Sequence, residues 1–313
     1  MNIRDILDVC NSPKDLYAPY SLINKSSIET IDGKNYNRII LSSGSSKGYV
    51  HLGALYYLFT IYPKLFNYTS MKLFAGSSIG SVISLLLSIG MKPIEIYSKF
   101  VKINMEISIE KVPNTFGMLK TDIFSNIEKI MISKYGFIPT LKQLYDITGK
   151  IFICTAYNLS KHKGEYFDYL SFPDLSSIKA IEMSCNIPLL FGKMEYNGNL
   201  YIDGAFFDKC PIKYVYDTFG NGENTLSIIF NPISPSIKNL SDYIYQVLTI
   251  PLHSQQDKTL EYSYFNNTIF QICMKDTLFY DIFGATQNKY KFEMFKIGID
   301  GIKKAKCIKK KRE

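Results

Sequence analysis

The chain has 313 residues, of which 46% are hydrophobic and 20% charged, with a formal net charge of +8. That length holds one large domain or two small ones, and that apolar share supplies a sizeable core, which sets aside disordered and low-complexity classes. The six cysteines, Cys10, Cys154, Cys185, Cys210, Cys273 and Cys307, form no C-x-x-C pair and have no histidine at zinc-ligand spacing. They read as reduced thiols of a cytoplasmic protein, without a disulfide framework or a metal.

Residues 1–35 form a polar lead-in with one short helix from Ile3 to Cys10, and the N-terminus lacks the apolar stretch of a secretory signal. Arg38 to Ser43 reads as the first strand, followed by a loop of small residues and a helix from Tyr49 to Tyr62 that Pro63 ends. Lys72 to Ala75 is the second strand. Ile79 to Ile89 is the next helix, closed by Gly90 with Pro93 beyond it. The uncharged stretch from Leu73 to Met91 is nearly long enough to span a bilayer. Its first third is rich in Gly and Ser, and the apolar run after Ser81 is short, so it reads as a buried helix. From Pro93 to Pro139 the pattern is helical, with Phe116, Met118, Leu119, Ile123, Phe124, Ile127, Ile130 and Met131 recurring.

Leu141 to Ile147 is another helix. Ile151 to Cys154 is a short buried strand with Tyr166 to Leu170 as its neighbour, and Asp174 to Cys185 is helical behind a cap at Asp174 or Ser176. Leu200 to Ile202 is a strand that ends at Asp203. Leu226 to Phe230 and Ile269 to Cys273 are two more, separated by a long helix from Leu240 to Tyr264 bent at Pro251. Tyr290 to Lys306 is a terminal helix. Strands alternating with helices predict an α/β fold, a three-layer α/β/α sandwich with a mostly parallel central sheet. Ligands of such sheets bind at the carboxyl ends of the strands, where Ser78 and Asp203 both fall. The expected organisation is a lead-in (1–35), a core (36–235), a completion of the same domain (236–302) and a basic tail (303–313).

Gly76-Ser77-Ser78-Ile79-Gly80 lies between a strand and a helix. A G-x-S-x-G pentapeptide in that setting reads as a nucleophile elbow, its small flanking residues permitting a tight turn that holds the serine at the positive end of the following helix. Upstream stands Ser43-Gly44-Ser45-Ser46-Lys47-Gly48, and far downstream Tyr201-Ile202-Asp203-Gly204-Ala205.

With these three segments in this order, and with Gly149-Lys150 and Ser184-Cys185-Asn186-Ile187-Pro188 as lesser matches, the chain resembles the patatin-like phospholipases from about Arg38 to Pro211. The resemblance implies a lipid acyl hydrolase with Ser78 as nucleophile and Asp203 as its base. It also implies an oxyanion hole from the N–H groups of Gly44, Ser45 and Ser46, with Ile79 a further donor. Lys47, Gly48, Gly76, Gly80 and Gly204 support the motifs, and neither a metal nor an organic cofactor is implied. The expected substrate is a phospholipid or another acyl lipid. Under this reading the apolar 93–139 region is either ordinary helix packing or a cap over an acyl-chain pocket or membrane-facing surface.

The loop departs from the family pattern, with Ser43-Gly44-Ser45 where three glycines are expected. A serine forced to positive φ carries strain, so a lipid- or partner-binding module with a spoiled oxyanion hole is the alternative function. A second chemical alternative is a triad in the order Ser78, Asp203, His253. His51 reads as a packed or capping residue and His162 as solvated. The tail, with Lys303, Lys304, Lys306, Lys309, Lys310, Lys311 and Arg312, reads as a solvated end or as a peripheral tether to anionic lipid, worth about 1 kcal/mol per basic residue. No nucleic-acid partner is expected, and the sequence leaves the oligomeric state open.

Overall fold

In the computed structural model the described residues are 35–107, 116–117, 119–220, 224–230, 267–272, 288–304 and 307–308. The central strands form on short, mostly apolar runs. Strand β1 (Arg38–Leu41), β2 (Leu73–Ser77) and β9 (Thr225–Phe230) are buried at every position. Such runs suit a parallel sheet covered on both faces. Strands β10 (Asn267–Ile272), β9, β1, β2 and β5 (Ile151–Asn158) lie side by side in that order, and each adjacent pair is parallel.

Side chains alternate across this sheet, as a pleat requires. Ile39, Leu41, Phe74, Leu226 and Ile228 enter the larger core on one face, whereas Ile40, Leu73, Ala75 and Ile229 enter a smaller core on the other. Helices α1 (Gly48–Ile61), α2 (Ile79–Ser88), α3 (Pro93–Phe100), α4 (Ile123–Tyr135), α5 (Leu141–Thr148) and α6 (Ser177–Ser184) contribute to the larger core. Helix α7 (Ile212–Phe219) covers the opposite face through Ile212, Val215 and Tyr216, and α8 (Asn288–Lys304) returns to the first face through Met294, Phe295 and Ile302. The architecture is the three-layer α/β arrangement that the alternation of elements predicts.

The flanks of the sheet are antiparallel. Strand β11 (Cys307–Ile308) pairs with β10, and β7 (Met194–Tyr196) with β8 (Asn199–Asp203). The pairings of β5 have a further consequence. Its residues 154 and 155 bond to both β2 and β6 (Lys163–Phe167), so those two strands occupy opposite edges. Residues 156–158 bond to both β6 and β8, which puts β8 on the edge that β2 occupies. Strands β2 and β8 therefore run toward one another along one edge of β5, and their carboxyl ends meet where Ser77 pairs with Thr155 and Asp203 with Ala156.

The 93–139 segment departs from the all-helical expectation. Between α3 and α4 lies an antiparallel pair, β3 (Met105–Ile107) and β4 (Leu119–Thr121). Short apolar runs do not separate the two periodicities, and here pairing decides. Ile127 and Met131 are core residues, whereas Phe116 is exposed. Among the described residues no helix is long and apolar enough to cross a membrane. The expected helices at Ile3–Cys10 and Leu240–Tyr264, and most of the basic tail, lie outside the described residues.

Candidate active site

Ser78 occupies the single residue between β2 and α2, with φ 54° and ψ −128°. A non-glycine residue in such a conformation costs about 1–3 kcal/mol and persists only when its surroundings hold it. The Ser78 N–H donates to Ser184 Oγ at 3.0 Å, and the Ser78 carbonyl accepts from the Ser81 N–H at 2.8 Å and the Ser81 hydroxyl at 2.6 Å. The flanking glycines are required by contact. A Cβ on Gly80 would stand 2.4 Å from the Leu41 carbonyl oxygen, and one on Gly76 2.4 Å from the backbone of Gly80. Helix α2 thus starts directly against the end of β1.

Asp203 ends β8. Its N–H donates to the Asn186 carbonyl at 2.9 Å, while Asn186 Nδ2 donates to the Tyr201 carbonyl at 2.8 Å. The segment after α6 therefore clamps the strand that carries the aspartate. Gly204 lets the chain turn hard against β5, since a Cβ there would lie 2.1 Å from the Thr155 carbonyl oxygen. Asp203 Oδ1 accepts the Ala205 N–H at 2.8 Å, and Oδ2 accepts the Ser78 hydroxyl at 2.5 Å. Both residues are buried, Ser78 at 4% and Asp203 at 1% exposure. Burial raises the Asp203 carboxyl from 3.8 to about 7, against the opposing pull of the Ser78 hydroxyl and the Ala205 N–H. A carboxylate in this state is a base poised near neutral pH.

The loop after β1 is pinned at its start, where the Ser42 N–H donates to the Ile228 carbonyl at 3.1 Å and the Ser43 N–H to the Lys209 carbonyl at 2.8 Å. His51 Nε2 donates to the Ser42 carbonyl at 2.8 Å. Burial, foremost, lowers the His51 pKa to about 4, so it braces the loop as a neutral ring. A short 3-10 turn follows over Ser45–Lys47, and its first residue, Ser45, has φ 49°. Of the two serines that replace family glycines, Ser45 alone stands in the left-handed region; Ser43 does not. Gly44 packs behind the turn, where a Cβ would meet the Phe230 ring at 2.8 Å. Ser45 and Ser46 line one cleft with Ser78 and Ile79. The N–H groups of Gly44, Ser45, Ser46 and Ile79 have no hydrogen-bond partner among the described residues. Lys47 lies 5.3 Å over the Phe230 ring, with its ammonium lowered to about 8 by burial and then by the charge of Lys209.

The cleft encloses about 800 Å³, its open mouth included, and leads from Ser78 between apolar walls that include Val82, Phe100, Ile123, Phe124 and Leu190. Seven residues of the 93–139 region, among them Phe100, Leu119, Ile123 and Phe124, thus line it. Among the other histidines His162 is exposed, and His253 lies outside the described residues. The supporting roles of Ser184 and Asn186 escaped the sequence reading. The segment 184–188 stood out only as a lesser motif match, and nothing local to it shows that it grips residues more than 100 positions upstream and 15 downstream.

Fold and site define a class: a three-layer α/β protein with a serine on a strained strand-to-helix turn, in contact with a buried aspartate. Residues 39–216 match the model of the family described as patatin-like phospholipase. A relative from Invertebrate iridescent virus 6, named probable lipid hydrolase 463L, is 30% identical over 88% of this chain and 90% of its own length. Protein R571 of Acanthamoeba polyphaga mimivirus is 27% identical over 66% of this chain and 70% of its own. Among solved structures, VipD from Legionella pneumophila aligns over 86% of this chain and 66% of its own, with 13% identity and a TM-score of 0.46. ExoU of Pseudomonas aeruginosa aligns over 86% and 52%, with 12% identity and a TM-score of 0.45. This chain belongs to the patatin-like phospholipase family.

Proposed function

We propose that the protein hydrolyses fatty-acyl esters of phospholipids or related lipids through Ser78 and Asp203. The observation that carries this reading is the 2.5 Å contact of the Ser78 hydroxyl with a buried carboxylate at the foot of an apolar cleft. Ser78 Oγ attacks the ester carbonyl carbon as its proton passes to Asp203 Oδ2. The charge that develops on the carbonyl oxygen is held by the unengaged N–H groups of the 44–46 loop and of Ile79, and by the positive end of α2. Collapse of the tetrahedral intermediate breaks the ester C–O bond, and Asp203 returns its proton to the departing alcohol oxygen. Water then gives a proton to Asp203 and attacks the acyl-serine, releasing the fatty acid and restoring the Ser78 hydroxyl. The cleft takes the acyl chain, so water reaches the ester from the mouth only.

The test is fatty-acid release from mixed phospholipid vesicles by wild type, Ser78→Ala and Asp203→Ala. Wild type releases fatty acid, and both variants fall to background. With a base ionising at about 7, kcat/KM of wild type rises about tenfold per pH unit below that value and levels above it. Undiminished release by Ser78→Ala refutes the mechanism.

A further inference from the structure

Six non-glycine residues have positive φ among the described residues; two of them line the cleft and two more are chain neighbours of residues that line it. Ser45 and Ser78 belong to its floor. The other two, Phe116 at 60° and Leu189 at 66°, stand outside it. Bulky side chains are rare in this region of backbone space, and the strain marks a place where something other than packing sets the conformation. Packing is indeed not what these residues gain, since Phe116 is 61% exposed and Leu189 42%. They come from distant parts of the chain and are joined there by a bridge between Gly117 and Leu189 and by the Leu119 N–H donating to the Leu190 carbonyl at 2.7 Å. Leu119 and Leu190, next to this pair, line the cleft. Two exposed apolar side chains thus stand side by side next to the residues that line an apolar cleft.

The charge beside the pair is balanced, so the apolar side chains set the character of the rim. Lys120, exposed next to Leu119, stands opposite Glu106 across the β3–β4 pair. Lys193, half-exposed and 3.0 Å from Glu195, follows Gly192, whose backbone packs on Gly117. The whole chain carries +8. We propose that Phe116 and Leu189 are the membrane anchors of this protein: they insert into the acyl region of a phospholipid bilayer and seat the mouth of the cleft on the surface that supplies its substrate. An acyl chain then passes from bilayer to cleft without crossing water. This inference rests on reading the cleft as a lipid acyl site, and its test separates the two.

The chain contains no tryptophan, so Phe116→Trp in a Ser78→Ala background is a clean reporter that needs no turnover. Its emission shifts to the blue on addition of phosphatidylcholine vesicles containing phosphatidylserine, and brominated acyl chains quench it. An emission unchanged by vesicles overturns the proposal. In the same background Phe116→Asn and Leu189→Asn, chosen because Asn tolerates positive φ, each weaken vesicle sedimentation about tenfold. Undiminished binding of the folded double variant overturns it equally. With Ser78 intact, the Asn variants lose hydrolysis of vesicle lipid while keeping wild-type turnover of a monomeric short-chain ester. If wild type hydrolyses neither substrate but Ser78→Ala still binds vesicles through these two residues, the anchors stand and the proposed reaction fails.

Discussion

Asp203→Asn separates the stability of this site from its chemistry. The asparagine keeps an acceptor for the Ala205 N–H and offers Nδ2–H to Ser78 Oγ, so the fold is preserved while the base is removed. Burial raises the wild-type carboxyl from 3.8 to about 7 in the folded protein. The folded state therefore holds a proton that the unfolded chain has released between those two values, and stability falls as pH rises through that window. At about 1.4 kcal/mol per pH unit, the cost of ionising this buried group reaches about 4 kcal/mol above pH 7. The asparagine variant is free of that cost. Urea denaturation at a series of pH values measures the gap. The variant matches wild type near pH 4, gains steadily to about pH 7, and stays about 4 kcal/mol more stable above it, while hydrolysis is lost at every pH. A gap that does not change with pH would mean that Asp203 titrates as an ordinary carboxyl, and the argument for a tuned base would fail.

Ser45→Gly relieves a residue at φ 49°. The strain removed, about 1–3 kcal/mol, exceeds the added freedom of an unfolded glycine, about 0.5–1 kcal/mol, so the variant is more stable by about 1 kcal/mol. Ser43→Gly, where no positive φ is relieved, loses stability instead; thermal unfolding of the two variants side by side checks the contrast, and a Ser45→Gly that melts earlier than wild type contradicts it. Ser184→Ala removes the acceptor of the Ser78 N–H and leaves a buried donor unpaired, at about 1–3 kcal/mol. Steady-state kinetics then show kcat falling with KM little changed, and an unaltered kcat would show that the elbow holds itself.

The site was legible wherever chemistry is local. A turn as tight as that at Ser78 admits no side chain at Gly76 or Gly80, because their Cβ atoms would meet backbone at 2.4 Å, and that exclusion leaves a mark in five consecutive residues. The buried strands were legible for the same reason: β1, β2 and β9 are apolar runs whose burial on both faces follows from composition. Residues 105–107 and 119–121 differ from the helical expectation because three-residue strands carry too few positions to show a period, and their pairing with each other is what makes them strands. The serine loop held an open question that its letters did not answer. Both Ser43 and Ser45 depart from the family pattern, yet the backbone places strain at Ser45 and spares Ser43.

The sequence by itself determined the alternation of elements, the elbow and the two residues proposed to react, since each depends on neighbours within a few positions. The tertiary structure decided that Ser78 and Asp203 touch, because β8 runs antiparallel along the edge of β5 that β2 also uses, and so brings the two carboxyl ends together across 125 positions of chain. It also decided the character of the Asp203 carboxyl. A carboxyl near 3.8 in water becomes one near 7 when the surrounding protein removes that water, and desolvation is a property of everything packed around a group, which no stretch of sequence carries alone.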